Sequence, residues 1–278
     1  REAVRFLKAH HKKPFFLYLP FNAPHNASNL DPAIRAGAQG PESAKKLYPH
    51  LQAEAGFTER KFGKYGEKLF KVPNRAARRL EYASSITAMD ATIGRVLDLL
   101  DYYQLADNTL VIFFSDNGGG GASDNAPLRG GKGQMFEGGL RVPCIIRWPG
   151  HVPAGKTSDA FLTTLEILPT LLQASQVEPP QDIIFDGFDL LPVLQGKTPS
   201  TRNTMFWQRR HDVGARVGDW KWVDSSRGSG LFNLKTDVGE QQDLSAMHPE
   251  KLTELKQHFA RWKKQMDAAE PRGPFRDF

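Results

Sequence analysis

The stretch from Asn74 to Asn117 constrains the fold of this chain more than any other. Leu80, Ala83, Ile86, Met89, Ile93, Val96, Leu97 and Leu100 recur at steps of three and four residues. That spacing predicts one amphipathic helix, capped by Asn74 and running to about Tyr103. Asp107-Asn108 then turns the chain into Leu110-Val111-Ile112-Phe113-Phe114, a continuous apolar run that reads as a strand buried on both faces. A helix feeding such a strand is the pattern of an α/β sandwich rather than of an antiparallel sheet.

Two further apolar runs read as buried strands, Pro14–Phe21 and Val142–Trp148, the second closed by Pro149-Gly150. Between the first run and the helix, Asn26–Asn74 loses its pattern among Gly, Pro, Lys and Glu. It reads as a long excursion with room for one short helix, and excursions of that length in compact domains often carry function. Phe161–Gln173 is predicted as a buried helix, kinked or interrupted at Pro169. After about Ser200 the texture changes. Thr204–Gln208, Ala215–Val217, Lys221–Val223 and Leu231–Leu234 are short segments separated by turn residues, as in a small antiparallel sheet. A last helix is expected over Pro249–Ala268, with Leu252, Leu255, Phe259, Trp262 and Met266 on one stripe.

Composition bounds the function. Of 278 residues, 40% are hydrophobic and 24% charged, as in ordinary globular proteins, and no apolar stretch is long enough to cross a bilayer. The formal charge of +6 invites a nucleic-acid partner, but Lys and Arg are interspersed with Asp and Glu and form no basic stripe. Attraction of anionic substrates is at least as good a use of that charge. A single cysteine, Cys144, excludes an internal disulfide and a cysteine-based zinc site; lying in an apolar run, it reads as a buried structural thiol. The chain opens on Arg1, and Glu2–His10 reads as the middle or end of a helix, so the sequence is expected to begin inside a larger protein.

Three places could carry chemistry. Asp116-Asn117 follows the C-terminal end of a buried strand, where open α/β sheets bind ligands. Its carboxylate and amide oxygens suit a hard cation such as Ca²⁺, though Asp-Asn-Gly is also a common turn. Lys132 stands between glycines in Gly130-Gly131-Lys132-Gly133, as a point charge for an anionic oxygen or as a solvated loop lysine. His25 follows the first apolar run in Asn22-Ala23-Pro24-His25, either as a donor to a leaving-group oxygen or as an ordinary loop histidine.

Taken in order, these segments resemble the sulfatase family of the alkaline-phosphatase-like superfamily. The resemblance runs from Pro14–Leu19 through Ala23-Pro24-His25, then Met89-Asp90 and Gly94, and Asn108 through Gly118. It continues from Leu128 through Gly133 and Phe136 through Pro143, with weaker echoes at Leu168–Leu172, Asp186–Leu190 and Leu231–Leu234. It implies an alkaline-phosphatase-like α/β/α sandwich, incomplete at its N-terminus. Residues 1–200 would form the C-terminal portion of that domain, and 201–278 a small subdomain of antiparallel sheet and packed helix. By the same resemblance Asp116 and Asn117 are Ca²⁺ ligands, Lys132 contacts a sulfate oxygen, and His25 contacts sulfate near the leaving group. Cation and lysine would stabilise the charge that grows on the oxygens as a sulfate ester splits at sulfur. Glu137, Arg141, Asp90 and Glu166 are assigned to structure, and Arg129 is left open between substrate and a neighbouring carboxylate.

The implied function is calcium-dependent hydrolysis of an aryl or carbohydrate sulfate ester. In the family, further Asp ligands lie near the N-terminus, and the nucleophile is formylglycine made in a Cys/Ser-x-Pro-x-Arg motif. No such motif occurs here: Cys144 is followed by Ile145-Ile146-Arg147, and Lys197-Thr198-Pro199-Ser200-Thr201-Arg202 puts a lysine at the nucleophile position. Formylglycine and the remaining ligands are therefore expected upstream, and the chain alone is expected to be inactive. The alternatives are a phosphodiesterase or phosphonate hydrolase of the superfamily, and a non-catalytic protein that binds sulfated glycans. The resemblance suggests a periplasmic, secreted or lysosomal location, a sulfate-ester substrate, and neither membrane nor nucleic-acid partner. The sequon Asn26-Ala27-Ser28 beside His25 is read as accidental.

Overall fold

A computed structural model describes residues 1–25, 39–61, 69–179 and 181–269. The sequon and the first part of the predicted excursion, residues 26–38, lie outside the described residues. The chain divides into two units, Arg1–Thr109 with Gly121–Ser123, and Leu110–Gly120 with Asp124 onward.

The first unit is organised by its long helix. The described residues open with α1 (Glu2–His10), and continue with α2 (Glu42–Lys45), α3 (Pro49–Glu54), β1 (Phe57–Lys61), β2 (Leu69–Pro73) and α4 (Arg75–Tyr102). The predicted cap holds: the Asn74 side chain accepts from Ala77 N–H at 2.8 Å. Along the C-terminal half of α4, Ala91, Arg95 and Asp98 form the solvent stripe, while Ile93, Val96 and Leu97 are half-buried and Leu100 is buried. In the N-terminal half the predicted Leu80 is buried, but the buried Ser84 and Ser85 share its inward side, so that face is less apolar than predicted. Their hydroxyls return to the helix backbone at Leu80 and Glu81, which removes the cost of burying them. α1, α2 and α3 each pack on α4, with the Tyr48 and Thr87 hydroxyls 2.7 Å apart and His11 stacked on Tyr103. The excursion thus holds more regular structure than its sequence pattern suggested: two short helices and the antiparallel pair β1–β2.

Pro14–Phe21 is not a strand. Its burial alternates residue by residue as in an extended chain, but Phe16 and Tyr18 are 72% and 73% exposed. A strand exists only where a neighbour completes its ladder, and among the described residues none pairs with this segment.

The second unit contains β3 (Val111–Phe114), α5 (Glu137–Leu140), β4 (Cys144–Arg147), α6 (Ile167–Ala174), α7 (Leu191–Leu194), four strands and α8 (Pro249–Ala268). β3 and β4 pair antiparallel, Val111 opposite Arg147 and Phe114 opposite Cys144, which corrects the expectation of an arrangement without antiparallel pairing. Both strands are also more open than their apolar sequences imply: β3 is half-buried, Ile145 is 63% exposed, and Cys144 is an exposed thiol rather than a core one. With two strands in this sheet, apolar composition alone does not bury a residue. The predicted helix at Phe161–Gln173 starts later, as a 3₁₀ turn over Thr164–Glu166 running into α6. Pro169 falls in the first turn of α6, where its missing N–H costs nothing, so it neither kinks nor interrupts the helix.

The four remaining strands are β5 (Thr204–Arg209), β6 (Asp212–Val217), β7 (Trp220–Ser225) and β8 (Gly228–Asn233), an antiparallel sheet in chain order. Alternation divides it cleanly. Ala215, Trp222 and Leu231 face α8 and meet Leu255, while Phe206 and Trp222 meet the Phe259 and Trp262 rings of the predicted stripe. Val223 and Phe232 face the other way, onto Met135 and Phe136, with Trp207 beside them. This second face positions the candidate site. Leu255 is fully buried at the centre of the α8 contact, so Leu255→Ala is expected to cost about 2–5 kcal/mol. Denaturant titration checks this, and a midpoint unmoved from wild type would show that α8 does not support the sheet.

Candidate functional site

β3 ends at Phe114, and the Ser115 hydroxyl donates to the Asn117 carbonyl at 2.9 Å, folding Asp116-Asn117 into a turn at the strand end. Asp116 is exposed and Asn117 half-buried. The loop that follows is held by backbone against the Lys132 segment. Lys132 N–H donates to the Gly119 carbonyl at 3.0 Å, and Gly118 N–H to the Gly139 carbonyl at 3.0 Å. Nothing larger than glycine fits there: a Cβ on Gly118 would lie 1.9 Å from the Gly138 carbonyl oxygen, and one on Gly131 would lie 2.6 Å from that of Gly119. The glycines flanking the predicted site residues therefore let three stretches of main chain interlock. Asn125 completes the brace. Its amide accepts from Gly119 N–H at 3.1 Å and donates to the carbonyls of Gly119 and Gly130 at 2.8 and 3.0 Å.

This interlocking brings the Asp116-Asn117 turn and Lys132 into one loop cluster, with the exposed Lys132 side chain lying along Gly120. His25 belongs to the first unit. It is exposed and closes a turn in which its N–H donates to the Asn22 carbonyl at 2.8 Å. The turn at Asp116-Asn117 offers one carboxylate and one amide oxygen, a donor set that suits a hard cation such as Ca²⁺ and would form part of its shell. Among the described residues no group of three or more His, Cys, Asp and Glu gathers that could hold a metal unaided.

Beneath the loops lies a buried charge cluster that the sequence reading missed. Lys221 points from the second face of the sheet, fully buried, with its ammonium 2.8 Å from Glu137 and 2.9 Å from Glu240. Glu240 also accepts from Glu137 N–H at 2.6 Å, which fastens the start of α5, and with it the Gly138-Gly139 segment, to the sheet. Burial pushes the Glu240 carboxyl above the ordinary carboxylate range, and Lys221 and the Glu137 N–H oppose that rise. A signal for Lys221 was present. In Trp220-Lys221-Trp222-Val223, period two puts the lysine on the same inward face as Val223, where a cation requires a partner. Glu240 carries no such signal, since it lies in a turn with φ of 52° that tertiary contacts alone place.

Several structural assignments hold. Glu137 lies within the cluster and Arg141 stands 4.0 Å from it. Glu166 is fully buried and ion-paired with Arg202, and its carboxylate also accepts from the Thr163 hydroxyl. Asp90 is an exposed helix residue. Arg129 stacks over the Phe136 ring at 4.0 Å and donates to the Glu240 carbonyl at 2.9 Å, so its place is beneath the loops.

Comparison with known proteins gives the class first. Ps i-CgsB, solved in complex with k-i-k-neocarrahexaose, superposes with a TM-score of 0.76 at 28% identity, over 94% of this chain and 53% of that one. The fold is accordingly the alkaline-phosphatase-like α/β fold. Residues 1–177 match the Sulfatase family, and residues 131–265 match the family described as N-sulphoglucosamine sulphohydrolase, C-terminal. The chain belongs to the sulfatase family. It is 36% identical to N-acetylgalactosamine-6-sulfatase of Sus scrofa over 162 residues, 54% of this chain and 31% of that protein. It is 33% identical to steryl-sulfatase of Mus musculus over 237 residues, 81% of this chain and 31% of that protein. The chain thus spans about a third of the length of these relatives.

Removing the Lys221 charge leaves two acids buried without their partner. Lys221→Met is expected to destabilise by about 3–5 kcal/mol in denaturant titration. Glu240 sets a pH signature. Its folded pKa is raised, so its contribution to stability is complete below the ordinary carboxylate range and is lost as pH rises through the folded value. Glu240→Gln should therefore gain stability relative to wild type as pH climbs from about 4 to about 8. A difference that stays flat or runs the other way, followed by melting temperature, would count against the burial account.

Proposed function

We propose that this chain supplies part of the active site of a calcium-dependent sulfatase that releases sulfate from a carbohydrate or aryl sulfate ester. The observation that carries the reading is the glycine-interlocked cluster, which sets the Asp116-Asn117 turn and Lys132 side by side at the end of β3. Its chemistry suits an anion with a counter-ion. Asp116 and Asn117 would hold Ca²⁺ with hard oxygens, and the bound ion would offset charge on the sulfate oxygens. Lys132 would supply a second positive charge to an oxygen of the same group, held ready by a loop that does not have to reorganise as the ester splits. His25 would bond the sulfate near the leaving group, donating a proton or hydrogen bond as the bridging oxygen becomes anionic.

The nucleophile and the remaining ligands would come from residues outside these 278, because the Cys/Ser-x-Pro-x-Arg motif is not among them. The chain by itself would then not turn over substrate. We further take residues 1–200 as part of the catalytic α/β domain and 201–278 as a small subdomain that backs the site. A sulfated glycan is the favoured substrate. The named relatives include an N-acetylgalactosamine-6-sulfatase, and Ps i-CgsB was solved with a carrahexaose. A periplasmic, secreted or lysosomal setting would suit such a substrate. Among the described residues no helix is long and apolar enough to cross a membrane.

In the full-length protein, Lys132→Ala is expected to lower the rate of sulfate release by about 100- to 1000-fold with an unchanged melting temperature. Wild-type turnover in that variant would remove Lys132 from the site. Asp116→Ala should weaken Ca²⁺ binding by calorimetry, and a titration matching wild type would remove Asp116 from the metal shell.

A further inference from the structure

We propose that Arg209 binds a second anionic group of the substrate, distinct from the sulfate being released, which makes the preferred substrate a polyanionic glycan. This rests on the reading of Lys132 as the contact to the reacting sulfate. Arg209 is the last residue of β5, and period two puts it on the same face as Trp207, the face turned toward the glycine loops. It reaches the residue next to Lys132: a Cβ on Gly133 would lie 3.6 Å from the Arg209 guanidinium carbon and 3.7 Å from Nη1. Gly133, at φ of 81°, thus leaves room for a guanidinium beside the loop of the candidate sulfate-binding lysine.

The guanidinium is exposed, and among the described residues none of its five donors is spent on a carboxylate or carbonyl. Asp212 stands opposite it in the β5–β6 register, but the Asp212 carboxylate accepts from Ser226 N–H at 2.8 Å and makes no ion pair with Arg209. The same end of the sheet carries Arg210 and His211 in the β5–β6 turn and Arg227 in the β7–β8 turn. Its other carboxylate, Asp224, accepts from the Ser229 hydroxyl at 3.0 Å. Arg209 and, at the same sheet end, Arg210 and Arg227 make no ion pair with an acid among the described residues, so their positive charge is available to an anion. A planar fork with free donors matches the oxygens of a sulfate or a carboxylate in a way that a point charge does not. A second sulfate and a uronate carboxylate share that chemistry.

The test uses the full-length protein with three disaccharides that carry the same scissile sulfate. Their other sugar is neutral, sulfated or a uronate, and sulfate release is measured for wild type, Arg209→Ala and Arg209→Lys. Arg209→Ala should raise KM about tenfold or more for a substrate with a second anion, with kcat within about twofold and the neutral substrate unaffected. Arg209→Lys should recover part of that loss. Whichever arm, sulfate or carboxylate, loses more identifies the group bound. Equal loss on all three substrates would make Arg209 a brace for the Lys132 loop, and no loss on any would make it a surface residue; either result overturns the proposal. If wild type releases sulfate from none of them, the carbohydrate-sulfate reading fails, and calorimetric titration with the same disaccharides then decides Arg209. About tenfold tighter binding of the dianionic sugars, abolished in Arg209→Ala, supports a polyanion site, and equal affinities overturn it.

Discussion

The loops that carry the candidate site rest on a buried ammonium. Lys221 lies between Glu137 and Glu240 with no exposure to solvent, joining the first residue of a four-residue helix to a turn more than a hundred residues later in the chain. Two carboxylates and one ammonium in such a place are costly to desolvate, and the geometry must return that cost through close contacts. It does so by joining each acid to Lys221 and one of them to a main-chain N–H as well. The consequence is positional. Glu137 begins the Gly138-Gly139 segment, Gly139 bonds to Gly118, and Gly119 bonds to Lys132, so the sheet fixes the cluster beside Asp116 and Asn117.

That chain of contacts explains why glycine is needed in the site. The sulfate-binding role proposed for Lys132 calls for a cation held still, and loops are ordinarily the least rigid part of a fold. Here the rigidity comes from main chain lying on main chain at distances no Cβ would allow, with the Asn125 amide bonded to the main chain of Gly119 and Gly130. Preorganised charge of this kind stabilises a transition state without a reorganisation cost. The sheet contributes the backing through Val223 and Phe232, and a cationic rim through Arg209.

Legibility in the sequence followed from whether a signal was local. The spans of α4 and α8 are written in residues three and four apart, and both form, α8 over the same residues and α4 ending one residue earlier. Their faces follow less closely, since Ser84 and Ser85 are buried on α4 and Met266, the last of the α8 stripe, is 47% exposed. The small sheet was legible for the same reason, since alternation and turn residues recur within each short segment. The apolar runs were misread because burial on two faces depends on which strands stand alongside. Pro14–Phe21 has no ladder partner among the described residues, and Cys144, in an equally apolar run, is exposed. Arg129 was undecidable in sequence because a cation over an aromatic ring leaves no pattern along the chain.

The sequence by itself determined the family. Strand–Ala-Pro-His, strand–Ser-Asp-Asn-Gly and the Gly-Lys-Gly loop stand in one order, and order and spacing are properties of the chain alone. It also determined the residue types at the candidate site, because a hard cation and an anionic oxygen each admit few side chains. Only the tertiary structure decided what surrounds those residues: Lys221 with Glu240 and Asn125 across Gly119 and Gly130 as supports, and Arg209 beside Gly133. The first two depend on hydrogen-bond geometry and desolvation, and the third on a register that places a strand end against a loop. Lys221 meets Glu137, and Arg209 meets Gly133, across long stretches of chain, while Asn125 bridges residues only six and five positions away through a loop geometry that no periodic pattern records.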